Sequence, residues 1–152
     1  MKILFVCTGN TCRSPMAAVL MNKIATENDL DIQCDSAGIF ASKGDKVSNN
    51  AVKAMLEYNV DLSNHTAKPL TEELIKEYDV ILTMTEGHKT MISGIIPEKV
   101  FTICEYAGYC GDIKDPFGST LDTYKEVAEN IYDCLTEIAE KIYDMTEEKN
   151  EN

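Results

Sequence analysis

Cys7 and Arg13 bracket five residues in the stretch Cys-Thr-Gly-Asn-Thr-Cys-Arg-Ser-Pro. A loop of that length can curl around a tetrahedral anion with its backbone N–H groups turned inward. A helix starting at the end of the loop adds a partial positive charge at the same point. Arg13 can hold two phosphoryl oxygens with its planar fork. The same groups favour the thiolate form of Cys7, which is the form that attacks phosphorus. Ser14 lies next to the arginine and can offer the thiolate a hydroxyl. Taken without its flanks, the pattern could equally be a turn with an incidental arginine.

Attack by a thiolate is half a mechanism, because the departing atom needs a proton. The stretch Gly-Asp-Ile-Lys-Asp-Pro-Phe-Gly at 111–118 supplies Asp115 as the candidate acid. Pro116 disfavours helix at Asp115 and stiffens its surroundings. Alone, an aspartate before proline reads as a turn residue just as well. Placed beside the cysteine loop, it reads as the acid.

The elements that must bring these loops together follow from periodicity. The apolar run at 2–7 predicts a strand buried on both faces. Ser14 is expected to cap the next helix, with Pro15 at its first position. Residues 31–38 read as a strand ending in a glycine turn, and a helix is expected from Ser48 with Ala51, Val52, Met55 and Tyr58 inward. Thr71 caps a short helix, and buried strands are expected at 79–84 and 99–103 with a short helical segment between them. Leu121, Tyr124, Val127, Ile131, Leu135, Ile138, Ile142 and Met145 recur at steps of three and four, which predicts a long amphipathic helix. Residues 146–152 are polar and are expected to fray. Alternating strands and helices imply an α/β fold: a Rossmann-like, four-stranded parallel twisted sheet with helices on both faces, formed as one domain over residues 1–145. In such a sheet the chemistry belongs in loops beyond the carboxyl ends of the strands.

Composition narrows the partners. A chain of 152 residues, 44% hydrophobic, can hold one real core. Its formal net charge of -12 repels nucleic acid and anionic membranes, so neither is expected as a partner. Any anion site must therefore be strong and local. No apolar run approaches the ~18 residues of a membrane span, and the run at 3–7 is too short for a secretory signal core, so a cytoplasmic setting is expected. Among the six cysteines there is no pair spaced by two residues, and there are only two histidines, so a structural zinc site is not expected; no cofactor is expected either. Cys34, Cys104 and Cys134 read as small core residues kept reduced.

The two loops carry a resemblance. Val6 to Ala17 and the Asp115-Pro116-Phe117-Gly118 motif are similar to the low-molecular-weight protein tyrosine phosphatase family, with Ser36-Ala37-Gly38 and the stretch 65–71 as further landmarks. The likeness runs from Lys2 to about Tyr143. It implies a metal-free phosphatase in which Cys7 is the nucleophile, Arg13 the phosphate clamp and Asp115 the general acid. Thr8, Gly9, Asn10, Thr11 and Cys12 then form the phosphate loop, with Asn10 holding its shape. Ser14 would stabilise the thiolate, and His65 would buttress the loop from behind. Thr11 occupies a place where tyrosine-specific members usually carry a larger apolar residue, and a single aromatic, Phe117, stands where they typically carry two. These two positions resemble the protein-arginine phosphatase branch, found in bacteria that mark proteins by arginine phosphorylation. Phe117 would stack on a guanidinium and Asp115 would pair with its nitrogens. The expected partners are thus proteins carrying phosphoarginine, with phosphotyrosine as the alternative, and no oligomeric state is implied.

Cys12 shares a curled loop with Cys7, so a reversible Cys7–Cys12 disulfide is geometrically reasonable and would protect the nucleophile from irreversible oxidation. Equal recovery of wild type and Cys12→Ser after a peroxide pulse and thiol rescue would leave Cys12 as a packing residue. Two other chemistries use a cysteine in this position. A sugar-phosphotransferase carrier domain has no use for Arg13 or Asp115, and a thiol-based arsenate reductase needs resolving cysteines that the segment 80–92 lacks.

Overall fold

The computed structural model describes residues 1–152. Ile3, Leu4, Phe5 and Val6 are fully buried because β1 (Lys2–Cys7) is a central strand covered on both faces. It pairs in parallel with β2 (Gln33–Gly38) on one side and β3 (Val80–Thr83) on the other. β4 (Val100–Thr102) pairs in parallel with β3, giving the order β2-β1-β3-β4. The expected four-stranded parallel sheet is therefore present. The chain runs from β1 to β2 on one side and then crosses from β2 to β3 on the other side of β1, and this switch point leaves a crevice at the carboxyl end of β1.

Side chains alternate between two layers. Ile3, Phe5 and Leu82 face a large core built with α1 (Arg13–Glu27), α2 (Asn49–Leu56), α5 (Ile103–Ala107) and α6 (Leu121–Glu151). Leu4, Val6, Ile81 and Val100 face a smaller one, closed by Ile75 of α3 (Glu72–Glu77) and Ile92 of α4 (Glu86–Ile92). Thr71, Thr85, Thr102 and Thr120 cap α3, α4, α5 and α6, each accepting a backbone N–H from inside its helix.

Three expectations are corrected. Ser14 is not a cap: α1 begins at Arg13 with Cys12 in the N-cap place and no side-chain cap bond. The Ser14 hydroxyl is held instead by Cys7 and Asn10, which leaves the first N–H groups of α1 open. Pro15 accordingly lies inside the first turn rather than at its first residue. Residues 146–151 continue α6, where Glu and Lys are good helix formers and Thr146 Oγ1 donates to the Ile142 carbonyl at 2.9 Å. Met145, expected in the buried stripe, is 41% exposed, because the core ends at Ile142. α5 was not expected, since five residues are too few to show a helical period.

Candidate active site

The cysteine loop follows β1 and enters α1, so one end is fixed by the sheet and the other by a helix. Cys7 is 3% exposed, and its Sγ lies 2.8 Å from Ser14 Oγ. Asn10 Nδ2 donates to the same Ser14 oxygen at 2.9 Å, so the serine proton is left to point at the sulfur. That is the polarity a thiolate requires.

Asn10 is fully buried and has a φ of 58°, in the left-handed region that asparagine tolerates. Its amide also donates to Ser36 Oγ at 2.9 Å, and its Oδ1 accepts the Lys68 N–H at 3.0 Å. His65 Nε2 donates to the Asn10 carbonyl at 3.0 Å, so His65 does lie behind the loop. Gly38, at the end of β2, lets the loop pass close by. A Cβ there would sit 2.7 Å from the Thr8 carbonyl oxygen and 2.9 Å from the Asn10 nitrogen.

Arg13 is 4% exposed, with Nη1 donating to the Ile113 carbonyl at 3.0 Å. Its Nη2 is 3.7 Å from Asp115 Oδ2. The Asp115 side chain is 53% exposed, and its Oδ1 accepts the Phe117 N–H at 3.1 Å, a local turn that fixes the carboxylate at the rim. Around these groups opens a cleft of about 320 Å³ lined by Cys7, Thr8, Gly9, Thr11, Cys12, Arg13 and Asp115, together with Phe40, Ser42, Asp45 and Phe117. Phe40 and Phe117 are 67% and 78% exposed, two uncovered aromatic faces at the mouth. One buried guanidinium, a loop and helix start rich in N–H groups, a thiol and a rim carboxylate suit nucleophilic transfer of a tetrahedral anion.

Of the residues singled out in the sequence, Cys7, Thr8, Gly9, Thr11, Cys12, Arg13, Asp115 and Phe117 line this cleft, while Asn10 and Ser14 are fully buried behind it and His65 touches the loop from outside it. Cys7 and Cys12 are both free thiols. Cys12 Sγ lies 3.3 Å from Tyr124 Oη, which in turn accepts from Ser48 Oγ at 3.1 Å. Burial and the Cys12 hydrogen bond push the Tyr124 hydroxyl up to about 12, so it stays protonated. The sequence placed Tyr124 in the apolar stripe, and nothing in the period marks its hydroxyl. Sequence reasoning also passed over Phe40, Asp45 and His88. Phe40 could have been found as an aromatic just past a strand's carboxyl end, where this fold keeps its ligands. His88 had no local signal: its Nε2 reaches Thr8 Oγ1, 2.9 Å away and eighty positions distant in the chain.

The model of the low molecular weight phosphotyrosine protein phosphatase family matches residues 2–149. The chain is 46% identical over 139 residues to a protein-arginine-phosphatase of Bacillus subtilis strain 168, covering 89% of this chain and 92% of the relative. It is 37% identical over 133 residues to the low molecular weight protein-tyrosine-phosphatase PtpB of Staphylococcus haemolyticus, covering 86% and 92%. A solved YwlE arginine phosphatase mutant with a phosphorylated active-site serine superposes with a TM-score of 0.91 at 43% identity, covering 94% of this chain and 96% of that one.

Proposed function

The chain belongs to the low molecular weight phosphotyrosine protein phosphatase family, and on that premise we propose that it hydrolyses phosphoarginine in proteins through a phosphocysteine intermediate. The observation that carries the substrate is the composition of the cleft mouth. Thr11 lines it where a bulky apolar side chain would close around a phenyl ring, Asp115 presents a carboxylate, and Phe117 and Phe40 present two uncovered aromatic faces. A guanidinium is flat, polar and cationic, so it can stack on Phe117 and pair with Asp115. The protein-arginine-phosphatase of B. subtilis, at 46% identity, supports the same substrate.

In this reading the phosphoryl oxygens sit against the loop N–H groups and the open start of α1, with Arg13 as clamp. Cys7 Sγ attacks phosphorus in line, the P–N bond breaks, and the Asp115 carboxyl gives its proton to the leaving guanidinium nitrogen. Ser14 steadies the thiolate before attack and when it departs. Asp115, now ionised, takes a proton from water; the water oxygen attacks phosphorus, the S–P bond breaks, and the thiolate returns with inorganic phosphate released. Stabilisation is mostly electrostatic and pre-organised, since Arg13 is already anchored on Ile113. His65 and Asn10 hold the loop shape. Oxidation would join Cys7 to Cys12, and a reductant would restore both thiols.

The alternative substrate is phosphotyrosine, as the name of the Staphylococcus relative allows. The two are separated by kcat/KM on a phosphoarginine protein and a phosphotyrosine peptide, with Cys7→Ala as blank. The proposal expects phosphoarginine to be preferred, and Thr11→Ile to shift preference toward phosphotyrosine by at least about tenfold. A wild-type preference for phosphotyrosine would refute the substrate and leave the chemistry intact.

A further inference from the structure

His88 has no part in the chemistry above, yet it touches the phosphate loop. It lies in the first turn of α4, 8% exposed, with its backbone N–H fixed by Thr85 Oγ1 at 3.1 Å. Its Nε2 is 2.9 Å from Thr8 Oγ1. Its Nδ1 is buried with no hydrogen-bond partner. Thr8 is the residue after the nucleophile, and its exposed side chain lines the cleft.

A neutral imidazole carries one N–H, and the surroundings decide which nitrogen has it. With the proton on Nδ1, a buried donor is left with nothing to accept it. With the proton on Nε2, only a lone pair is left unused, which is the less costly and more common deficit. The doubly protonated form is disfavoured, because burial and the neighbouring Arg13 charge lower the His88 pKa against the smaller opposing pull of Asp112 and Asp115. His88 therefore donates to Thr8. A threonine hydroxyl that accepts from one side has its own proton free for the other, and here the other side is the cleft.

We propose that His88 is a positioning residue whose Nε2–H holds the Thr8 side chain so that the Thr8 hydroxyl donates to a phosphoryl oxygen of the bound substrate. The proposal rests on the reading of the cysteine loop as a phosphoryl cradle. It adds one donor to that cradle and places its control on α4, outside the loop. Because both partners serve a single contact, loss of either removes the same stabilisation.

Two measurements test it. Long-range ¹H–¹⁵N correlation spectra of the wild-type protein at neutral pH report the tautomer directly, with no dependence on turnover. The Nε2–H form is expected, and an Nδ1–H form would overturn the proposal even if the enzyme is a phosphatase as described. Steady-state kinetics on a phosphoarginine protein then compare Thr8→Val, His88→Leu, the double variant and His88→Gln. Each of the first two is expected to lower kcat/KM at least about tenfold, the weight of one hydrogen bond to a charged group. The double variant is expected to lose no more than either single one, and His88→Gln, whose amide supplies a donor near the Nε2 position, recovers most of the loss. Additive losses, or equal losses in His88→Gln and His88→Leu, would make His88 a packing residue only. Failure of the underlying reading has a different signature, namely full turnover by Cys7→Ala.

Discussion

Asn10 shows how much of the site depends on one small side chain. It reaches Ser14 and Ser36 with its amide protons and Lys68 with its oxygen, and its carbonyl receives His65. No donor or acceptor of that side chain goes to water, since the residue is fully buried. Asn10→Gly would keep the left-handed backbone and lose the three side-chain bonds, whereas Asn10→Ala would lose both. Thermal unfolding is expected to show Asn10→Ala destabilised by about 2–4 kcal/mol, with Asn10→Gly also destabilised but less so. Values within about 0.5 kcal/mol of wild type for both would mean that the loop holds its shape without this network. The family motif implied a loop-shaping role for Asn10, and the prediction above tests it. It could not reveal the partners at 36 and 68, because nothing local links residues that meet only after the sheet has formed.

At the scale of elements, the site is the place where β1, β2 and α1 end or begin together. Cys7 pairs in register with Gly38, so the ends of the two strands and the loops that leave them are side by side. Gly38 is required there by contact with backbone: its missing Cβ would meet the Thr8 oxygen at 2.7 Å, the Ala41 Cβ at 2.8 Å and the Asn10 nitrogen at 2.9 Å. Gly38→Ala must therefore push the cysteine loop aside. A fall in kcat/KM of at least about tenfold is expected, with the circular dichroism spectrum of the folded protein retained; unchanged kinetics would show that the loop has slack. Elements with a strong period were legible in the sequence, including all four strands and α6. The misreadings have separate causes. Ser14 has the chemistry of a cap but is claimed by the sulfur it serves, and α5 is too short to display a face. Likewise Tyr124 and His88 look like ordinary helix residues until the tertiary fold gives their polar atoms partners.

Over the whole molecule, charge and site oppose each other. A protein of net charge -12 must bind a phosphorylated side chain, so the attraction cannot come from the surface. In the proposed reading it comes from Arg13, sunk to 4% exposure and braced on Ile113, and from the uncapped start of α1. Both lie within one crevice that the strand order β2-β1-β3-β4 creates at the carboxyl end of β1. Two apolar layers hold that crevice in place, the larger one reaching Cys7 and Cys12 themselves. The central claim is that this crevice transfers a phosphoryl group from arginine nitrogen to the sulfur of Cys7. The measurement that bears on it most directly is rapid quenching of the wild-type enzyme during turnover of a phosphoarginine protein, with the phosphoryl group located on the enzyme by mass spectrometry. A phosphoryl group on Cys7, present during turnover and gone when substrate is exhausted, is the predicted result. Turnover with no phosphorylated enzyme, or with the group on another residue, would contradict it.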